Sequence, residues 1–333
     1  MNKTNSTPQE IRDAIMQHDM IVINMDSRFD YDALGSAYAL LSMIKSIKPE
    51  QEVTCWFAEE LPEKAKNLFD TSWLTENREI HQEDLTEETL YICADSGEWN
   101  KAINYKDIKR VKFTAEFMNL DHHAGNDMYG EYNYFFEYGS ACAVIFQLYK
   151  ELEIEPTDEA LRYLAAGHFT DTSAMMYTKD IVDYDLHREL YLKGVDIQEL
   201  LTVIMMSEHE HSVRYRGIVI DNLVVDHDKK IAYSTVSVDE LSKFDIDTRN
   251  VFAAPDAIKY IFDLDFVFVI KENDIGQYSA SFRSGVNKVM VLPIVKALGG
   301  GGHPGAASAR FEADNIDAAL EYVLQFIEDF QNK

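Results

Sequence analysis

Basic residues are scarce. The chain of 333 residues carries 31 lysines and arginines against 58 aspartates and glutamates, a formal net charge of −27. Such a surface repels phosphate backbones at long range, which argues against a protein that grips long DNA or RNA by counterion release. A small nucleotide in a pocket stays admissible, because bound metal ions reset the local charge there. Cysteine is scarce too. Cys55, Cys93 and Cys142 show no metal or redox spacing, and Cys93 and Cys142 sit in apolar stretches that read as core. An odd, low count suits a reducing compartment. The apolar runs fall far short of a membrane span, and the opening MNKTNSTPQE lacks the apolar core of a signal peptide. The expected location is the cytoplasm, with no membrane partner. There is no low-complexity segment and no internal repeat.

What is present supports real cores: 46% of the residues are hydrophobic, and the length suits about two domains. The first half alternates short apolar runs with amphipathic stretches. MIVIN (20–24), VTCWF (53–57), LYICA (90–94) and FMNL (117–120) read as strands. Residues 33–47 read as a helix, with further helical stretches around 60–69 and 98–108. The alternation predicts a mostly parallel sheet with helices on both faces, and in such sheets ligands sit at the carboxyl ends of the strands. Residues 140–152, 158–168, 185–193 and 197–206 look helical, and 191–213 reads as a helical connector. From 214 onward RGIVIDNLVV and KKIAYSTVSV look like paired strands, FDLDFVFVIK and QYSASFRS like two more, and 289–298 and 316–330 like helices. The expected organisation is an α/β domain over 1–190, a helical linker over 191–213 and a smaller α/β domain over 214–333.

Carboxylates and histidines cluster where the strands end. MDSRFDYDALGS (25–36) places Asp26, Asp30 and Asp32 within seven residues. Three carboxylates so close repel one another unless cations lie between them, and ionised Asp oxygens are good ligands for hard divalent metals. Asp also suits turns and helix caps, so this segment alone supports either reading. Asp95 closes LYICADSG, and Asp171 lies between threonines in FTDTSAMMY; each alone reads equally as a cap or turn residue. LDHHAGN (120–126) is rarer: imidazole suits Mn, Fe or Zn, and an adjacent Asp can orient a ligating His through its free nitrogen. His168 reads as a bystander near the Asp171 loop, and His209 and His211 as residues of a solvated connector. Farther on, LGGGGHPGAASAR (298–310) has four consecutive glycines before His303. Such glycines let backbone approach a ligand and expose N–H groups to anions. In SFRSG (281–285), Arg283 offers a planar fork for phosphate.

The order Asp-x-Asp-x-x-Gly-Ser, a lone Asp after a strand, Asp-His-His, Thr-Asp-Thr, Arg-Ser and Gly-Gly-Gly-His-Pro resembles the DHH/DHHA1 phosphoesterases over residues 20–310. That family includes nanoRNases that are also pAp phosphatases, cyclic-dinucleotide phosphodiesterases and RecJ exonucleases. Length and domain content resemble the compact nanoRNase/pAp phosphatase branch, with no membrane, sensor or OB-like domain. The resemblance implies two divalent ions, Mn with Mg as an alternative. Asp30 would ligate the first and Asp32 the second, Asp95 would bridge them, and His122 and Asp171 would complete the second site. It further implies that His123 contacts the scissile phosphate, Asp121 supports the histidine pair, and Arg283, Ser284, Gly300, Gly301, Gly302 and His303 hold substrate. One departure stands out. The family opens its first motif with a histidine four residues before the first Asp, and here that residue is Asp26, a carboxylate still able to bind Mn or Mg.

The implied reaction is two-metal hydrolysis of short oligonucleotides to mononucleotides, with pAp as a second substrate and a homodimer allowed. Three alternatives stay open: a cyclic- or linear-dinucleotide phosphodiesterase, a type-II inorganic pyrophosphatase, and a non-catalytic nucleotide-binding protein.

Overall fold

The structure is a computed structural model that describes residues 4–25, 29–78, 80, 84–102, 114–207, 210–244, 246 and 254–331. The chain divides into two compact units, Met1–Ser207 and Glu208–Lys333.

The first unit runs α1 (Pro8–Gln17), β1 (Met20–Asn24), α2 (Tyr31–Ile47), β2 (Glu52–Trp56), α3 (Glu63–Leu68), β3 (Leu74–Thr75), β4 (Thr89–Ala94), α4 (Trp99–Ala102), β5 (Glu116–Asp121) and β6 (Tyr132–Phe135). Then come α5 (Ala141–Glu151), α6 (Asp158–Asp171), α7 (Ile181–Leu192) and α8 (Ile197–Leu201), the last passing into a π-helical turn, Thr202–Met206. The six strands form one sheet in the order β3-β2-β1-β4-β5-β6, every pairing parallel. Side chains alternate across such a sheet, so each strand feeds two cores. Ile21 and Ile23 of β1, with Leu90, Ile92 and Ala94 of β4, join the core built with α2, α5 and α6. Val22, Tyr91 and Cys93 join a smaller core on the other side, with Trp56, Ala102 and Phe117. The order of strands reverses between β1 and β4. That is the switch point at whose carboxyl edge open α/β sheets bind ligands.

Close packing brings α6 to the same edge. A Cβ added at Gly167 would lie 2.8 Å from the Asp32 Cα and would overlap the Cys142 sulfur. Glycine there lets α6 press against the first turn of α2, and so carries its last residue, Asp171, toward the loops after β1 and β4.

The second unit runs α9 (Glu210–Asp221), β7 (Val224–Asp226), β8 (Ile231–Val236), α10 (Val238–Ser242), a 3-10 turn (Ala254–Ala257), β9 (Phe266–Asp274), β10 (Gln277–Ser284), α11 (Leu292–Ala297), β11 (Gly301–His303), β12 (Ala306–Glu312) and α12 (Ile316–Gln331). Its sheet has the order β11-β12-β10-β9-β8-β7, antiparallel except for β8 beside β9. Phe266, Phe268 and Phe282 pack beneath α11 and α12, with Val295 and Val323.

The strand expected over RGIVIDNLVV is corrected: α9 extends to Asp221 and only Val224–Asp226 pairs with β8. Tyr215 and Val219 are buried four residues apart, and Arg214 pairs with Glu210 at 2.6 Å, so the helical period wins over β propensity there. Most of the helix expected over 98–108 lies outside the described residues. No helix among the described residues is long and apolar enough to cross a membrane.

Candidate metal centre

Three loops at the carboxyl edge of the parallel sheet, and the end of α6, supply the site. Asp95 follows the last residue of β4 in the left-handed region, φ +58, with its N–H donating to the Leu120 carbonyl at 3.0 Å. An Asp tolerates this conformation better than most residues. It ends the strand and leaves its side chain among the neighbouring loops. Asp121 is the last residue of β5, and the two histidines follow directly.

His122 is the hub. Its Nδ1 lies 3.2 Å from the Tyr138 carbonyl, which can only accept, so that nitrogen carries the proton. The other nitrogen, Nε2, then offers a lone pair. It faces Asp95 Oδ1 and Asp171 Oδ2 at 3.4 Å each and Asp32 Oδ2 at 3.7 Å. Both His122 Nε2 and Asp95 Oδ1 are buried without a hydrogen-bond partner. Two ligand groups emerge within 4.8 Å: Asp32, His122 and Asp171, and Asp95, His122 and His123.

The electrostatics match. Burial, then the charges of Asp32 and Asp30, push the Asp95 carboxyl well above the usual carboxylate range. The same causes in the same order raise Asp171 to about 7, although 42% of its side chain meets solvent. Burial also holds His122 below its ordinary value, against the pull of Asp32, so the imidazole stays neutral and able to ligate. A buried Asp95 and a partly exposed Asp171 that both resist ionisation around an imidazole lone pair are a donor set a divalent cation would complete. The residues fit such an ion on oxygen and imidazole donors, with no thiolate among them.

Asp32 is held from behind. Its two oxygens accept N–H groups of the first turn of α5, Ala141 at 2.6 Å and Cys142 at 2.9 Å. A helix N-terminus favours an anion there, and each carboxylate oxygen keeps a lone pair for another partner. Asp121 is fully buried. It accepts His123 Nδ1 at 2.8 Å, the His123 N–H at 3.1 Å and Asn126 Nδ2 at 2.5 Å. Burial opposes its charge, but the His123 bond and that residue's charge hold it below the usual range. In return the bond to Asp121 raises His123, whose side chain is half exposed.

Asp30 falls outside both ligand groups. It caps α2, accepting the Ala33 N–H at 2.7 Å, while sitting near enough for its charge to raise Asp95 and Asp171. Asp26 lies outside the described residues, as does the side chain of His303. In the second unit, Arg283 Nε lies 3.3 Å from Asp256 Oδ2 and its Nη1 donates to the Phe282 carbonyl at 3.0 Å. Ser284 Oγ donates to the Val289 carbonyl at 2.6 Å. A Cβ at Gly300 would overlap the Ser308 carbonyl, and one at Gly302 would come within 2.5 Å of the Ala306 carbonyl, whereas Gly301 has nothing within 4 Å. Packing against β12 therefore accounts for two of the three glycines and leaves Gly301 to another cause.

The motifs do not disclose Ser140 or Asn126. A Ser just before an apolar helical run is an N-cap signal, and Asn126 sits inside the Asp-His-His segment, but their partners become visible only in three dimensions.

Residues 20–168 match the DHH family, N-terminal domain, and residues 228–329 the DHHA1 domain. The chain is 25% identical over 301 residues to the probable bifunctional oligoribonuclease and PAP phosphatase NrnA of Streptococcus mutans, covering 89% of this chain and 91% of that protein. It is 26% identical over 324 residues to the bifunctional oligoribonuclease and PAP phosphatase NrnA of Bacillus subtilis, with 94% and 97% covered. Among solved structures, an exopolyphosphatase-related protein from Bacteroides fragilis shares the fold with a TM-score of 0.83 at 21% identity, over 98% of this chain and 96% of that one. With the sheet edge, the Asp-His-His loop and both matched stretches in view, the chain belongs to the DHH family and carries a DHHA1 domain behind its N-terminal DHH domain.

Proposed function

We propose that this chain is a metal-dependent phosphoesterase that cuts RNA or DNA fragments of about two to five nucleotides to mononucleotides, with pAp as a second substrate; its acidic surface disfavours longer polyanions. The observation that carries this reading is the pair of buried, unpartnered atoms, His122 Nε2 and Asp95 Oδ1, set beside Asp32 and Asp171, with the Asp95 carboxyl held by burial above the usual range. The two relatives named as oligoribonuclease and PAP phosphatase support the substrate class, since each aligns over nearly its whole length.

Asp32, Asp95, His122 and Asp171 would hold the metal, with Asp30 and Asp26 as further ligands, Asp26 taking the position of the family's histidine. When bound, two divalent ions, Mn in our assignment and Mg as the alternative, would supply Lewis acidity toward phosphate and a more acidic water. The chain's own groups do the rest. His122 keeps its proton on Nδ1 through the Tyr138 carbonyl, which reserves Nε2 for ligation. Asp121 anchors His123 at Nδ1 and favours its protonated form, so Nε2–H can donate to a phosphate oxygen as negative charge grows there. Arg283, Ser284, Gly300, Gly301, Gly302 and His303 are assigned to substrate capture. Arg283 would exchange Asp256 for a phosphate, a stronger partner for its fork.

The test is a side-by-side measurement of kcat/KM, with Mn present, on a dinucleotide, an oligonucleotide of about twenty residues, pAp and cyclic dinucleotides. The expected ranking puts the dinucleotide first by roughly tenfold or more over the long strand, given the acidic surface. A preference for the long strand would overturn the short-substrate assignment, and a preference for cyclic dinucleotides would replace it.

A further inference from the structure

Two of the residues assigned to the metal are aimed by one short piece of backbone. The Tyr138 carbonyl fixes His122 at 3.2 Å, and three residues on, the Ala141 and Cys142 N–H groups fix Asp32 at 2.6 and 2.9 Å. Whatever sets the position of residues 138–142 sets both ligands together. Two buried polar side chains grip that strap from the far side. The Gly139 N–H donates to Asp183 Oδ1 at 2.9 Å, and Ser140 Oγ lies 2.9 Å from His168 Nδ1. The Ser140 hydroxyl also accepts the Ala143 N–H at 3.0 Å, capping α5. Asp183 takes two more N–H groups, Lys179 at 2.7 Å and Asp180 at 3.1 Å, and so ties the strap to the start of α7.

His168 is the informative member. It lies on α6, fully buried, on a helix otherwise lined inward by Leu161, Tyr163, Leu164 and Phe169. An apolar residue would fill such a place without the cost of burying an imidazole. The groups whose charge it feels are Asp183, Asp32 and His187, and burial keeps it neutral. A neutral imidazole retained at zero exposure, bonded to the serine that caps the ligand-holding helix, is accounted for by what that serine holds. We infer that His168, acting through Ser140, is a positioning residue that fixes the 138–142 strap and with it the aim of Asp32 and His122 at the metal. Its leverage is geometric: donors displaced by more than about half an ångström lose productive geometry.

The inference rests on the metal reading above, and the experiment separates the two. Metal-free protein is titrated with Mn by calorimetry, and thermal melting of the same metal-free samples reports folding. His168→Leu keeps the bulk and removes the bond to Ser140. It is expected to weaken Mn binding roughly tenfold or more, the scale for partners of metal ligands. His168→Asn, whose amide nitrogen reaches the place of Nδ1, is expected to stay within about threefold of wild type by the same scale. Should His168→Leu fail to fold, Ser140→Ala removes the other end of the bond with a single-atom change and is expected to weaken Mn binding likewise. A folded His168→Leu or Ser140→Ala protein that binds Mn as wild type does, with only its melting temperature lowered, overturns the positioning role and leaves the metal site standing. Wild-type protein that takes up no Mn overturns the metal reading itself.

Discussion

The turn after α6 and the glycine segment before β12 both need backbone angles that side chains resist, and they meet the need in opposite ways. Gly299 and Gly302 sit at φ +80 and +143, where glycine costs little. After Asp171 the angles at Ser173, Ala174 and Met175 are +48, +54 and +73, with no glycine among them, and Asp95 adds +58 at the other side of the cluster. Each non-glycine residue in that region costs about 1–2 kcal/mol. Composition absorbs the demand at Gly299 and Gly302, although Lys230, Asp263 and Lys288 of the same unit also take positive φ. Strain stays in place beside the carboxylates in the first unit, as does the repulsion among Asp95, Asp32 and Asp171. Three successive left-handed residues directly after Asp171 put this strain beside the carboxylates, where chemistry is assigned.

The largest effect that could break this contrast is on turnover. His122→Ala should lower kcat at least about a hundredfold while circular dichroism stays unchanged, whereas Arg283→Ala should raise KM roughly tenfold and leave bound Mn, measured by elemental analysis, as in wild type. Near-normal turnover in His122→Ala would remove the metal centre from the first unit. The glycines come next. Gly300→Ala and Gly302→Ala should each lose about 1–3 kcal/mol in urea unfolding, since each new methyl meets a β12 carbonyl, while Gly301→Ala should stay within about 0.5 kcal/mol. A rise in KM for Gly301→Ala at unchanged stability would give that residue to the ligand.

A smaller effect tests the repulsion, in metal-free protein kept in chelator. The folded state raises the Asp171 carboxyl from 3.8 to about 7, so it binds that proton more tightly than the unfolded chain does. The associated stability is fully present below the unfolded value and is lost as pH rises through the folded one. Asp171→Asn should therefore melt near wild type at pH about 4 and progressively above it toward pH about 7, levelling off beyond. A difference that shrinks as pH rises would contradict the assigned shift. The smallest effect is on strain alone: Ala174→Gly should stabilise the protein by about 1 kcal/mol or less, because relief of the left-handed angle is partly offset by glycine's entropy. Destabilisation in the same urea experiment would show that the turn is not strained.

Much of the fold is legible in sequence for identifiable reasons. MIVIN is β1 residue for residue, and LYICA and FMNL each fall one residue or two short of β4 and β5, because strands buried on both faces leave continuous apolar runs. YNYF was not legible as β6: Asn133 is buried but bonds locally to Gly130, and the run is too short and mixed to carry a period. The helix α1 announces itself only through its capping box of Thr7 and Glu10 in a polar stretch. In the site, Asp32, Asp95, His122 and His123 could be named because each lies just beyond a strand, whereas Asp171 ends the helix α6 and was marked only by its flanking threonines. The support of these residues could not be named. Asp32 is braced by Cys142 from 110 residues away, and Ser140 by His168 from 28 away, and no local spacing encodes such pairs.

The parallel sheet also fixes when the cluster can exist. A parallel strand needs a crossover before its neighbour can pair, and here the groups assigned to the metal arrive in chain order: Asp32 after β1, Asp95 after β4, His122 after β5, Asp171 only at the end of α6. Their backbone supports lie later still than the loops they brace, since Asp32 waits for α5. On the ribosome, a chain synthesised as far as the Asp-His-His loop has three of the four groups but neither α5, which braces Asp32, nor α6, which carries Asp171. Domains fold as units as they emerge, so competence to hold metal would come on in one step when α6 docks. A nascent or truncated chain that stops short of that helix would be inert toward the cell's short RNA.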